Sequence, residues 1–140
     1  WFGREAGADW PELRTATFEL LARDAELREV AGLLGADALQ DRDRLVLEMA
    51  AITREELLGQ NATDPDDAWS EPGKTHQIAA LIRALHRAAL AALEGGAALD
   101  EIAIEPPRRA IAALRAAPAA ARAERARAAE QAIAAIGGPT

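Results

Sequence analysis

Cysteine does not occur among the 140 residues, which excludes disulfide scaffolds, thiolate zinc sites and cysteine nucleophiles. Tyrosine is absent too, and three Trp and two Phe are all the aromatics, so stacking platforms for nucleic acid are poorly supplied. Positive charge is in deficit: 16 Lys and Arg face 23 Asp and Glu, a formal net charge of −7 that argues against a general nucleic-acid binder. No uninterrupted apolar run approaches the ~18–20 residues of a membrane span, and no signal-peptide pattern opens the sequence. β-branched residues are few beside alanine and leucine, a helix-forming balance. Half of the chain is apolar, so it is not disordered throughout, and its length suits one domain with a real core. The expectation is a soluble, acidic, all-α protein of the cytosol.

Charge is distributed unevenly. Residues 1–104 carry 10 basic and 20 acidic side chains; residues 105–140 carry six Arg against three Glu, and 15 of these 36 residues are alanine. A first helix is expected from Asp9, where Asp9 and Glu12 form a capping box and Pro11 sits in the first turn. Leu13, Ala16, Leu20, Leu27, Val30 and Leu34 recur at helical steps, with Asp24 and Glu26 suggesting two helices end to end before Gly35. A second helix over about residues 41–58 carries two apolar lines, Leu45, Met49 and Ile52 beside Leu47, Ala51 and Leu58, and is expected to be mostly buried. Residues 59–73 read as a loop. A third helix over about 74–94 turns Ile78, Leu81, Ile82, Leu85 and Leu93 inward and stops at Gly95-Gly96. Two further helices flank Pro118. The spacing predicts an antiparallel helical bundle over residues 9–104 with a looser Ala/Arg-rich helical tail over 105–140.

Motif by motif, catalytic chemistry is hard to place. Gly73-Lys74-Thr75 matches the end of a phosphate-binding loop, but position 68 is Ala where a Gly is needed, and no strand leads in. Asp64, Asp66 and Asp67 share a loop without the Gly and distal Glu of a calcium site, so turn-forming and capping roles fit better. His76 and His86 lie ten residues apart, ~15 Å along a helix, too far to share one metal. The tail arginines suit phosphate or an acidic protein face, or simply a solvated helix face around an alanine stripe. No catalytic residue and no metal ligand set emerges.

A more specific pattern runs through the chain. It comprises Leu33-Leu34-Gly35-Ala36-Asp37-Ala38-Leu39, Arg44-Leu45-Val46-Leu47-Glu48, Arg54-Glu55, Leu58-Gly59-Gln60-Asn61-Ala62, Asp64-Pro65 and Asp67-Ala68-Trp69. With Asp9-Trp10, Leu13-Arg14, Gly96 and Leu99-Asp100-Glu101-Ile102, it covers about residues 9–114 in order. It resembles the C-terminal domain of the catalytic A (alpha) subunit of V-type and archaeal-type rotary ATPases. The resemblance implies a helical bundle in a ring where A and B subunits alternate about a central stalk, coupling ATP synthesis or hydrolysis to rotation and to proton or sodium transport. It implies that residues 1–8 are a linker remnant, and that the phosphate loop, catalytic glutamate and magnesium ligand belong to a preceding nucleotide-binding domain. The full subunit would then bind ATP and Mg, with no cofactor held by this stretch alone, at a peripheral cytoplasmic site without membrane insertion. It also implies a stalk-facing loop at residues 35–44, with Asp37, Leu39, Gln40, Asp41 and Asp43. Leu39, at a connector tip, is expected to be exposed. Gln60, Asn61 and Thr63 would form the adenine side of the nucleotide pocket, Thr63 standing where the family has a stacking aromatic. A stand-alone helical interaction module of the same ancestry is the alternative.

Overall fold

The computed structural model describes residues 10–58 and 72–136. Among these there is no strand; five α-helices carry the fold. They are α1 (Trp10–Leu34), α2 (Asp41–Thr53), α3 (Pro72–Glu94), α4 (Glu105–Ala116) and α5 (Arg122–Ile136). A π turn, Arg54–Leu58, extends α2, and short 3-10 turns lie at Ala36–Ala38, Leu99–Glu101 and Ala119–Ala121. The all-α expectation holds. Asp9, the expected cap, lies outside the described residues.

Rather than two helices end to end, α1 is continuous. Asp24 does not break it, because the carboxylate is buried and paired: it accepts from Arg54 Nη1 at 2.8 Å and from Arg28 Nε one turn on. The interruption read into Asp24 is a buried polar contact with the end of α2, which periodicity counted as a solvent-facing gap. Glu26, by contrast, stays exposed and meets Arg23 at 3.0 Å.

Gly35 ends α1 at φ +90, a left-handed setting that favours glycine, and its N–H returns to the Ala31 carbonyl at 2.8 Å. The connector to α2 is short, and the two helices pack together, so the chain reverses here. Gly96, at φ +106, closes α3 the same way, with Ala97 N–H on the Ala92 carbonyl.

The core is one cluster. Leu45, Met49 and Ile52 of α2 meet Ile78, Leu81, Ile82 and Leu85 of α3, all at 5 % exposure or less. Fully burying each such side chain contributes about 1.5–3 kcal/mol. Ile111 and Leu114 of α4 and Ala126, Ala129 and Ile133 of α5 belong to the same cluster. Helices α4 and α5 therefore share the core with α2 and α3. Pro106 and Pro107 occupy the first turn of α4, where a missing N–H is harmless. Small alanines let α5 lie close to its neighbours, Ala126 and Ala129 being buried against them.

Candidate functional site

Where α1 runs out, the molecule presents apolar surface. Leu33 is 80 % exposed and Leu34 73 %, with Val30 one turn earlier also exposed. The helical spacing put Val30 and Leu34 on the inward line. The helical step is right, and Leu13 and Leu27 on the same helix are buried, but this last turn is left uncovered among the described residues. Periodicity identifies a face; it does not tell where the opposing helix stops.

The adjoining connector folds differently from expectation at one residue. Leu39 is buried, 6 % exposed, in place of the predicted exposed tip. The 3-10 turn Ala36–Ala38 curls the chain back, Leu39 N–H bonds to the Ala36 carbonyl, and the side chain is turned away from solvent. The apolar contact surface at this end belongs to Leu33 and Leu34 instead.

The acids of the connector are unequal. Asp37 stands fully in solvent with Arg44 Nη2 3.8 Å away, and Gln40 is exposed. Asp41 is partly turned inward, accepting the Leu99 N–H at 2.9 Å and so tying this end of α2 to the turn after α3. Asp43 lies 3.6 Å from Arg23 of α1. Of the named acids, Asp37 is thus the one most available to a partner, while Asp41 and Asp43 shape the end of the bundle.

At the opposite end of α2, Thr53 donates its hydroxyl to the Met49 carbonyl at 2.8 Å, and the π turn follows. A π turn misaligns carbonyls relative to the α pattern, and a side chain can then reach one. Arg115 of α4 donates to the Glu55 carbonyl, and its Nε lies 3.6 Å from the largely buried Glu56 carboxylate. Arg108 donates to Glu55 Oε2 at 2.6 Å, and this bond raises the Arg108 pKa. Sequence reasoning left these arginines as a solvated face. Their charge excess over residues 105–140 was the available signal, and its target was not legible.

Lys74 is buried, 3 % exposed, and does not present its ammonium to a ligand as a phosphate-loop lysine does. His76 borders a cavity with Gln77, Arg122 and Glu130, while His86 faces α1 across another groove, so the two imidazoles do not meet. Among the described residues no group of three His, Asp or Glu is placed to hold a metal ion. Gln60, Asn61 and Thr63, and the loop aspartates 64, 66 and 67, lie outside the described residues. No described helix is long and apolar enough to cross a membrane.

Comparison with known proteins bears on this arrangement. The model of the family described as the C-terminal domain of V and A type ATP synthase matches residues 1–103. The V-type ATP synthase alpha chain of Anaeromyxobacter dehalogenans is 46 % identical over 102 residues, covering 73 % of this chain and 18 % of that protein. The A subunit of the A-type ATP synthase of Methanopyrus kandleri is 39 % identical over 102 residues, 73 % of this chain and 17 % of that protein. The V-type ATP synthase alpha chain of Thermoanaerobacter pseudethanolicus is 40 % identical over 112 residues, 80 % of this chain and 19 % of its own length. The chain spans less than a fifth of the length of these curated relatives. Helices α4 and α5 lie past the residues that the family model matches. With the ordered motifs and the all-α fold, these matches show that the chain belongs to the family of C-terminal domains of V and A type ATP synthases.

Proposed function

We propose that this chain is the rotor-facing helical domain of a catalytic A subunit, relaying nucleotide state to a central stalk while the full enzyme moves protons or sodium ions. The full subunit would bind ATP and Mg, B subunits would flank it in the ring, and the assembly would sit at the cytoplasmic face of a membrane. This domain would supply no catalytic group. Gln60, Asn61 and Thr63 would border the adenine.

The observation that carries the reading is the exposed end of α1, Leu33 and Leu34 beside Asp37. Two leucines left in water at one helix end are unfavourable; covering each by a partner contributes up to about 1.5–3 kcal/mol. Asp37 adds an exposed charge whose attraction is screened beyond about 8 Å, so it aids approach without locking the contact. An apolar tip with weakly held charge suits a surface that must push a moving partner and release it.

The test is the double variant Leu33→Ser/Leu34→Ser in the assembled enzyme, with ATP hydrolysis and ion pumping measured together. Pumping per ATP should fall while hydrolysis persists. Unchanged coupling at full assembly would remove the stalk-facing assignment.

A further inference from the structure

A groove of about 340 Å³ runs between α1 and α3, away from the α1 tip and from the π turn. Its floor is apolar, with Leu20, Val46 and Leu90. Its α3 wall carries Arg83, His86 and Arg87, spaced i, i+3 and i+4 and so on one helix face. A smaller hollow of about 40 Å³ adjoins it and shares Leu20, Arg83 and His86 with it. From Arg83 to Leu90 the α3 wall rises roughly 10 Å, about two turns of a helix laid beside it.

The charge of this wall is unbalanced. Arg83 and Arg87 enter no ion pair among the described residues. Arg23, on the facing wall, is already engaged by Glu26 and Asp43. Among the described residues, Glu19 lies on the rim, and Glu12 joins it beside Arg83 in an adjoining hollow, yet neither pairs with an arginine of this wall. In a chain of net charge −7, two arginines one turn apart on one helix face repel each other, and among the described residues neither is held in an ion pair. A carboxylate-bearing partner would relieve that repulsion, and an apolar side chain would cover the floor.

We propose that this groove docks an acidic amphipathic helix from a neighbouring protein chain, apolar residues on Leu20 and Leu90 and carboxylates on Arg83 and Arg87. This is the helix-in-groove mode of recognition, with charge supplying register and selectivity. The surface differs from the α1 tip, and its occupant is acidic. The inference rests on the rotary reading only in expecting the neighbour within the same assembly.

The experiment places a photo-cross-linking amino acid at Glu19, on the groove's rim, in the native complex. The cross-linked peptide is sequenced. A peptide from another chain is expected, with Glu or Asp on one helix face and Leu, Ile or Val on the other. The Arg83→Glu/Arg87→Glu variant should lower the cross-link yield at least tenfold, and Arg83→Lys/Arg87→Lys should largely restore it. Circular dichroism of each variant separates loss of docking from loss of fold. The sequenced peptide, synthesised, should bind the isolated chain and lose at least tenfold in affinity to the charge-reversed variant.

Cross-links confined to this chain's own segments would overturn the proposal, as would a peptide without an acidic face or a yield unaffected by charge reversal. The rotary reading fails separately, if the complex that co-purifies lacks the other subunits of a rotary ATPase. Docking is then still decided by the cross-linked peptide.

Discussion

Asp24 shows how one side chain joins two helices. Its carboxylate is almost wholly removed from water and is held by Arg28 and by Arg54, whose side chains remain 60 % and 37 % exposed. Replacing Asp24 by Ala leaves two cations without their partner and an unfilled space, and should lower stability by about 1–3 kcal/mol. The solvent around both arginines keeps the loss below that of a fully buried pair. Urea unfolding measures it; a loss under about half a kcal/mol would show that the contact is ornamental. His86 makes a second residue-scale prediction. Burial lowers its pKa below 6.5, with Arg83 and Arg87 on its own helix and Glu19 and Arg23 across the groove. The folded state therefore binds fewer protons than the unfolded state near that pH, and stability rises with pH through this range. As pH falls below about 6.5 the chain should lose stability, at no more than ~1.4 kcal/mol per pH unit for one proton. The His86→Gln variant should flatten that slope in unfolding curves taken across the range.

At the scale of elements, the joint between the π turn and α4 is the least expected feature. The turn widens the end of α2, and Arg115 answers by donating to the Glu55 carbonyl while lying close to Glu56. Arg108 secures the Glu55 side chain from the same helix. The Arg115→Ala variant strips a carbonyl of its donor and a largely buried carboxylate of its ion-pair partner, and should cost about 1–3 kcal/mol. The Arg109→Ala variant, whose side chain is 79 % exposed and pairs only along its own helix with Glu105, should stay within about half a kcal/mol. The contrast between these two arginines of one helix, read by thermal or urea unfolding, checks whether the joint is structural.

For the whole molecule, the decisive question is whether residues 105–136 are an appendage or part of the fold. Ile111, Leu114 and Ile133 lie in the central cluster with Leu85 and Met49. Deleting the chain after position 104 removes all three and uncovers their partners on α3. At about 1.5–3 kcal/mol per large side chain, that loss is comparable with the roughly 5–15 kcal/mol by which domains are normally stable. The truncated chain, though it keeps every residue matched by the family model, should lack a cooperative unfolding transition and expose dye-binding apolar surface. A sharp transition close to that of the full chain would show that α1 to α3 suffice.

By itself the sequence determined the helical character, through alanine and leucine in place of β-branched residues, and the inward positions Leu45, Met49, Ile52, Ile78, Leu81, Ile82 and Leu85, through their 3.6-residue spacing. It also determined the family, because ordered motifs survive in the letters whatever their packing. What only the tertiary structure decided is where each helix meets another and where it is left uncovered. Leu34 and Leu27 are spaced alike on α1, yet one is 73 % exposed and the other 3 %. Leu39 reads as a loop tip and is buried; Asp24 reads as a break and is a buried link; Arg115 reads as solvated and braces a turn. Burial is a property of pairs of elements, set by crossing geometry and by the ends of the neighbours, and no local pattern in one helix encodes how far its partner extends.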